Sequence, residues 1–263
     1  MLTLNTQILF KILTKAMQPR NVLDIGSMDG SDALMLKKLS IESKCFAFEA
    51  NPYNFDSMNN DSRLSDAGVE VINKAVADHN GVVSFFIAQQ SGDSFDWRRG
   101  TSSLLKRDKA NDEFEETEVQ VESITLNTFL KENGLDKCAI WVDVEGAAYQ
   151  VLRGADRVAN HILIGHIEVE TSPVWTDQKD ANSVLDLLRG MGFCPIARGG
   201  GKNQHDVVFI RKEIANKFGL KFLLYTAFFI SKIRKYFGRL IYAPLFALVM
   251  LIVPRGFIQS KTL

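Results

Sequence analysis

An α/β fold on a mostly parallel sheet is what this sequence predicts, and three stretches predict it. Asn21-Val22-Leu23-Asp24-Ile25 is a short apolar run that enters a turn bearing Gly26 and Gly30, then a helical pattern from Ser31. Ser43 to Glu49 and Cys138 to Gly146 are similar runs, each with acidic residues at its carboxyl end. Strands that each feed a loop or helix at the same end make a parallel sheet the economical solution.

The chain of 263 residues is long enough for one large domain and an appendage. Its net charge of zero conceals a division: from Arg211 onward ten Lys/Arg stand against one acid, Glu213, so the body before it is acidic. An acidic body is a poor partner for nucleic acid, and only the basic tail points towards anionic surfaces. Cys45, Cys138 and Cys194 are far apart, odd in number and set in apolar runs, the pattern of buried reduced thiols. At the N-terminus Lys11 and Lys15 interrupt the apolar residues and no small-residue cleavage site follows, unlike a secretory leader. The expected location is therefore the cytoplasm, with the tail allowing a place at the inner face of a membrane.

Taken in order, Leu4, Ile8, Leu9, Ile12, Leu13, Ala16 and Met17 recur at helical spacing and predict an amphipathic helix within residues 1–19, ended by Pro19. The opening strand, turn and helix follow, to about Leu39. After the second strand, Asn51 caps a helix with Pro52 at its first position. Val69 to Asp78 reads as a third strand running into a loop. Val82 to Ala88 and Thr117 to Ile124 read as a strand pair around a long polar loop that carries Trp97, Arg98 and the Gly100-Thr101-Ser102-Ser103 turn. So long a loop is either a substrate lid or a solvated excursion. Thr125 caps the next helix, and the Cys138 strand follows it.

Ile162 to Val169 is another apolar strand, in which His166, Glu168 and Glu170 share one face by the period of two. An exposed edge would account for them; a central strand would demand partners or a ligand, because buried carboxylates are costly. A helix from Ala181 leads to a closing strand pair, Gly192 to Ala197 and His205 to Arg211, around a triple glycine. We place the body at 1–213 and a basic, apolar helical tail at 214–263. On an ideal helix Lys217, Lys221, Lys232, Lys235 and Arg239 share a sector of about 60°. Leu240 to Pro254 is uncharged but shorter than a bilayer and broken by Pro244, so the tail is expected to make peripheral or re-entrant membrane contact. Folding on the body or on a second copy is the other expectation for it.

The turn and the acid of the second strand together predict a nucleoside-bearing cofactor. Glu49 lies 19 residues after Gly30, about where a nucleotide-binding fold holds the ribose hydroxyls. The sign of the charge chooses the cofactor. A dinucleotide would set its pyrophosphate against Asp24, Asp29 and Asp32, and Met28 fills the middle glycine position of Gly-x-Gly-x-x-Gly. A sulfonium and an ammonium favour that acidic wall, which selects S-adenosylmethionine. A nicotinamide-dependent oxidoreductase of the short-chain type would also want Tyr-x-x-x-Lys, and no tyrosine here has it. A non-catalytic membrane-associated module is the remaining rival.

Asp24-Ile25-Gly26-Ser27-Met28-Asp29-Gly30, Phe48-Glu49-Ala50-Asn51-Pro52, Val142-Asp143-Val144-Glu145-Gly146-Ala147, Leu152-Arg153-Gly154 and Ile167-Glu168-Val169-Glu170 resemble the FkbM family of class I methyltransferases. The resemblance covers about residues 20–212 and excludes the tail. It implies a Rossmann-like sheet of seven strands with an antiparallel last strand, and O-methylation of hydroxyls on sugars, glycans or other natural products. Met28 stands where the family commonly has Asn. Carried over by position, Asp24, Gly26, Ser27 and Gly30 would line the methionine end, Glu49 the ribose, and Asn51 the adenosine, with Asp143 and Glu145 beside the methyl group. Candidate bases for the acceptor hydroxyl are Asp143, Glu145, Glu168, Glu170 and His205. The same carboxylates offer a site for Mg²⁺, though no metal spacing calls for one. An oligomer is compatible with the sequence.

Overall fold

Apolar runs too short for helices become the strands of one large sheet in the computed structural model, which describes residues 1–88, 100–108, 115–215 and 218–253. Its order is β1 (Leu2–Thr3), β10 (Phe193–Arg198), β11 (Gln204–Arg211), β9 (Ile162–Glu170), β8 (Cys138–Val142), β2 (Asn21–Ile25), β3 (Lys44–Phe48) and β4 (Val69–Ile72). All pairings are parallel except those of β11, which runs antiparallel to both its neighbours. The expected sheet is present, with one addition: extended Leu2–Thr3 pairs with Ala197 and Arg198 before the first helix begins, giving an eighth strand. Strand β9 is central, so an exposed edge does not account for its polar face.

The expected third strand divides. β4 stops at Ile72, and the chain folds back as the Lys74 amide donates to the Ile72 carbonyl at 3.0 Å. Ala75–Val76 (β5) then leaves the main sheet to pair with β7 (Glu116–Ile124), itself antiparallel to β6 (Gly81–Ala88). This second, three-stranded sheet stands over the carboxyl ends of β2 and β3, where its residues help line a cleft.

Alternation sorts the side chains of the main sheet into two layers. Val22, Cys45, Ala139, Ile164, Val208 and Ile210 pack beneath α1 (Thr6–Met17), α2 (Ser31–Leu39) and α9 (Phe218–Ile252). Leu23, Ile25, Ile140, Ile167 and Val207 pack against α5 (Leu126–Glu132), α6 (Ala148–Arg153) and α7 (Ala181–Gly190). Helix α1 starts at Asn5, whose side chain accepts the Ile8 amide at 2.8 Å, and ends at Gln18 in the left-handed region ahead of Pro19. The first half of α9 lies along α1 with Leu220, Leu223, Ala227 and Ile230 buried, while Phe222, Tyr225 and Phe229 face outward. Each of those buried Leu and Ile side chains contributes about 1.5–3 kcal/mol, so the tail folds onto the core of the body. Gly238, with φ of 71°, breaks α9 into two segments, and Tyr242, Phe246 and Val249 of the second pack on the same core. Among the described residues no helix is long and apolar enough to cross a membrane. Trp97, Arg98, Lys217 and the side chain of Arg239 lie outside the described residues.

Candidate active site

The turn after β2 is fastened on both sides. The Gly26 and Ser27 amides both donate to the Phe48 carbonyl at 3.0 Å, and the Asp143 amide donates to the Ile25 carbonyl at 2.9 Å. Gly26 has φ of +83°, and a Cβ there would overlap the carbonyl oxygen of Asp143, so only glycine fits between β2 and the end of β8. Met28 takes the left-handed conformation at φ 54°, a region in which Asn is more at ease than Met. Its amide donates to Glu49 Oε2 at 2.7 Å, and the Asn51 amide donates to Glu49 Oε1 at 2.7 Å. One backbone donor on each oxygen fixes the Glu49 carboxylate, which is buried at the wall of a cleft of about 490 Å³. Ile25, Phe48, Val76 and Phe85 supply its apolar lining; Gly26, Lys74 and Asp143 supply polar edges. Gly100, Ser102 and Leu104 close it from the long loop, so the described part of that loop is a wall of the cleft. The Ser103 hydroxyl anchors this wall by donating to the Glu145 carbonyl at 2.6 Å. Asn51 is a helix cap, its side chain accepting the Tyr53 amide at 3.0 Å.

Beside the cleft the carboxyl ends of β2, β8 and β9 bring acidic side chains together. Asp24 is fully buried, and burial raises its pKa to about 8 although the Ser27 hydroxyl donates to it; nearby Asp32 and Asp143 push the same way. Asp143, Glu145 and Glu168 can place one oxygen each within 4.8 Å of one another. Burial raises Glu145 to about 8, with Asp143 and Glu170 adding repulsion and Arg107 opposing it. Asp143 keeps solvent access, yet its surroundings are crowded with protein, and desolvation together with Asp206, Asp32 and Glu170 raises it. A hydrogen bond joins it to Glu168, which desolvation and its acidic neighbours also raise. Two carboxyls so placed share a proton. Glu170 is buried, raised by desolvation, and accepts from Gln178 Nε2 at 2.7 Å. Residues Glu145 (φ 48°) and Gly146 (φ 84°) adopt left-handed backbone in succession, the bend that turns Glu145 back towards β9.

The structure therefore gathers Asp24, Asp143, Glu145, Glu168 and Glu170, and sets Glu49 on the far side of the turn. His205 does not join them. On β11 it pairs with Val169 and shares that residue's face, whereas Asp206 pairs with Glu168 and takes the acidic face. Asp206 is the member that sequence reasoning missed; continuing the alternation of β9 across an antiparallel partner would have found it. It accepts from the Thr6 hydroxyl at 3.1 Å and lies 3.8 Å from His166 Nε2. His166 stacks on Trp141 with centroids 3.8 Å apart, and burial lowers its pKa to about 3, so it stands neutral beside Asp206. Arg107, another residue not anticipated, brings a cation over Trp175 at 5.2 Å and towards Glu145.

A glycine turn between central strands, a fixed acid at the end of the next strand, and an acidic wall beside an antiparallel β11 define a Rossmann-like methyltransferase of class I. The chain belongs to the FkbM methyltransferase domain family, whose model matches residues 24–194. It is similar to the 2-O-methyltransferase NoeI of Sinorhizobium fredii (strain NBRC 101917 / NGR234), being 27% identical over 173 residues that span 64% of this chain and 70% of that protein. Among solved structures it is similar to methyltransferase FkbM from Methylobacillus flagellatus KT, with a TM-score of 0.44, 11% identity, and 73% of this chain matched to 44% of that one. Precorrin-6y C5,15-methyltransferase from Geobacter metallireducens GS-15 gives a TM-score of 0.42 and 12% identity over 78% of this chain and 86% of that one. Family membership implies S-adenosylmethionine as the methyl donor and sets aside the nicotinamide reading.

Proposed function

We propose that the enzyme methylates a hydroxyl oxygen on a sugar, a glycan or a related natural product. The observation that carries this is the acidic wall, with raised pKa values, at the carboxyl edge beside Gly26. When bound, S-adenosylmethionine supplies a methyl group on a positively charged sulfur. In this reading Asp24, Gly26, Ser27 and Gly30 hold the cationic methionine end, and Glu49 receives the ribose hydroxyls on lone pairs that its two amide contacts leave available. Asn51 shapes the turn below the adenosine. The Asp143–Glu168 pair lies beside the reacting oxygen, orients it, and accepts its proton; a base whose pKa sits near the working pH serves that purpose well. Glu145 and Glu170 hold the pair in place, and His205, on the opposite face of the sheet, has no part. The family relative NoeI, described as a 2-O-methyltransferase, supports oxygen as the acceptor atom.

The body at 1–213 would carry this chemistry, with 214–263 as an appendage packed on it. Mg²⁺ is the second reading, favoured only by the convergence of Asp143, Glu145 and Glu168. The exposed Phe222, Tyr225, Phe229 and Tyr236 of α9 support peripheral membrane contact at an inner, cytoplasmic face. One experiment tests the main proposal: incubate the full chain with methyl-labelled S-adenosylmethionine and fractionated glycan and lipid extracts, with and without a chelator. Label should enter base-stable ether linkages and survive chelation. No transfer, together with no calorimetric binding of S-adenosylhomocysteine, would overturn it, and chelator-sensitive transfer would establish the metal reading.

A further inference from the structure

Helix α9 leaves the core at an unexpected place. Strand β11 runs against the sheet, so α9 begins at the edge opposite the site and climbs along α1 towards it. At Ser231 it reaches the start of α1, where the Asn5 amide donates to the Ser231 hydroxyl at 3.2 Å. The next turn therefore overhangs the carboxyl edge before Gly238 redirects the chain. That overhang carries Lys232, Arg234 and Lys235, all exposed and all lining a second cleft whose inner wall is Thr6, Gly200 and Asp206. None of the three is ion-paired with a carboxylate among the described residues. Each is set against a ring instead: Lys232 over Phe228 at 5.2 Å, Arg234 over Tyr242 at 5.4 Å, Lys235 over Tyr236 at 5.9 Å.

Asp206 belongs to this cleft and to the acidic wall at once, since it also faces Asp143. The passage between them thus has a basic rim and an acidic floor. An anion is held at the rim by three cations and repelled from the floor, while a neutral polyhydroxyl group enters freely. We infer that Lys232, Arg234 and Lys235 form a subsite for a phosphate or pyrophosphate on the acceptor, so that its sugar end is the part presented to Asp143. The word acceptor rests on the proposed methyl transfer; the anion site does not. This gives the basic tail a role in orienting substrate.

Inorganic pyrophosphate is the first probe, titrated calorimetrically into the full chain at low ionic strength. It should bind, and high salt should abolish the binding. The triple variant K232Q/R234Q/K235Q should bind it about tenfold more weakly or worse, the loss of charge-assisted contacts at three positions. A charge-matched control at the opposite edge, K44Q/K212Q/K221Q, should bind as wild type does. Equal binding by the two variants, or none by the wild type, would overturn the inference. S-adenosylhomocysteine titrated into all three proteins reports folding and the cofactor site separately; if it fails to bind while pyrophosphate still discriminates, methyl transfer falls and the anion site stands. Displacement of pyrophosphate by UDP-N-acetylglucosamine would identify a soluble nucleotide sugar, and displacement by vesicles carrying an isoprenoid pyrophosphate a lipid-linked one. Displacement by neither would overturn the acceptor assignment.

Discussion

Replacing Asp24 by Asn should make the cofactor-free protein more stable at alkaline pH and bind S-adenosylmethionine less well. The side chain is fully buried and its pKa lies near 8 against an ordinary 3.8, chiefly because burial penalises the charge. A carboxyl raised on folding contributes stability that is complete below pH 4 and is lost as the pH climbs to about 8, because the folded state keeps a proton that the unfolded chain gives up. Over its whole range this amounts to roughly 5–6 kcal/mol, of which roughly 2–3 kcal/mol falls between about pH 6 and pH 9. Asn has the shape of the protonated acid and cannot ionise, so the variant escapes this loss. Its advantage over wild type should therefore widen by roughly 2–3 kcal/mol from about pH 6 to pH 9 in urea unfolding.

Binding should move the other way. A cationic donor compensates the Asp24 charge, so the variant should lose about tenfold or more in affinity for S-adenosylmethionine and much less for neutral S-adenosylhomocysteine. Calorimetric titration with both ligands reads the difference. Opposite signs for stability and binding are what a merely structural aspartate would not give. If Asp24→Asn is less stable than wild type at pH 9, or binds both ligands with unchanged affinity, the electrostatic reasoning about this wall is wrong.

Four other substitutions test neighbouring parts. Gly26→Ala combines a left-handed conformation with overlap on the Asp143 carbonyl, and should cost about 3 kcal/mol or more, seen as a lowered urea midpoint. Glu49→Gln turns one acceptor oxygen into a donor facing a backbone amide, and should weaken S-adenosylhomocysteine binding about 10–100-fold with the fold retained by circular dichroism. Met28→Asn relieves backbone strain at φ 54° and should raise thermal stability by about 1 kcal/mol. Leu223→Ala empties a fully buried position between α9 and α1, and should cost about 2–4 kcal/mol in chemical denaturation, whereas an independent tail would leave the body unchanged.

What the sequence made legible was local. The strand, turn and helix around Gly26, the Asn51 cap and the acid at Glu49 each occupy one short segment, and propensity, capping and spacing decide them without help from the rest of the chain. Asp143 and Glu145 were legible because they end a buried strand. His205 was misplaced by a single position, for the physical reason that neighbouring strand residues face opposite ways and the register of β11 against β9 is a tertiary property. The division of the third strand depends on a turn at Asn73 and Lys74, where the Asn73 side chain donates to the Glu49 carbonyl at 2.8 Å, a contact across the fold. The tail was treated as one ideal helix; the break at Gly238 and the anchor at Ser231 are what carry its cations to the mouth of the site.

The acidic wall is costly unless something relieves it, and the fold shows how the cost is contained. Instead of pairing its carboxylates with arginines, the protein buries most of them and lets them hold protons, leaving Arg107 as the cation placed against Glu145. Salt bridges would lock the wall and fill the space that a ligand needs; protonated carboxyls leave it open and able to ionise. A bound sulfonium can then draw charge onto the wall where the reaction develops, while its neutral product cannot. The same preference for cations excludes phosphate from the floor, and the basic overhang supplies the place for it outside. Acid within and base at the rim are thus two parts of one arrangement: the first selects the donor, and the second sets which end of the acceptor enters.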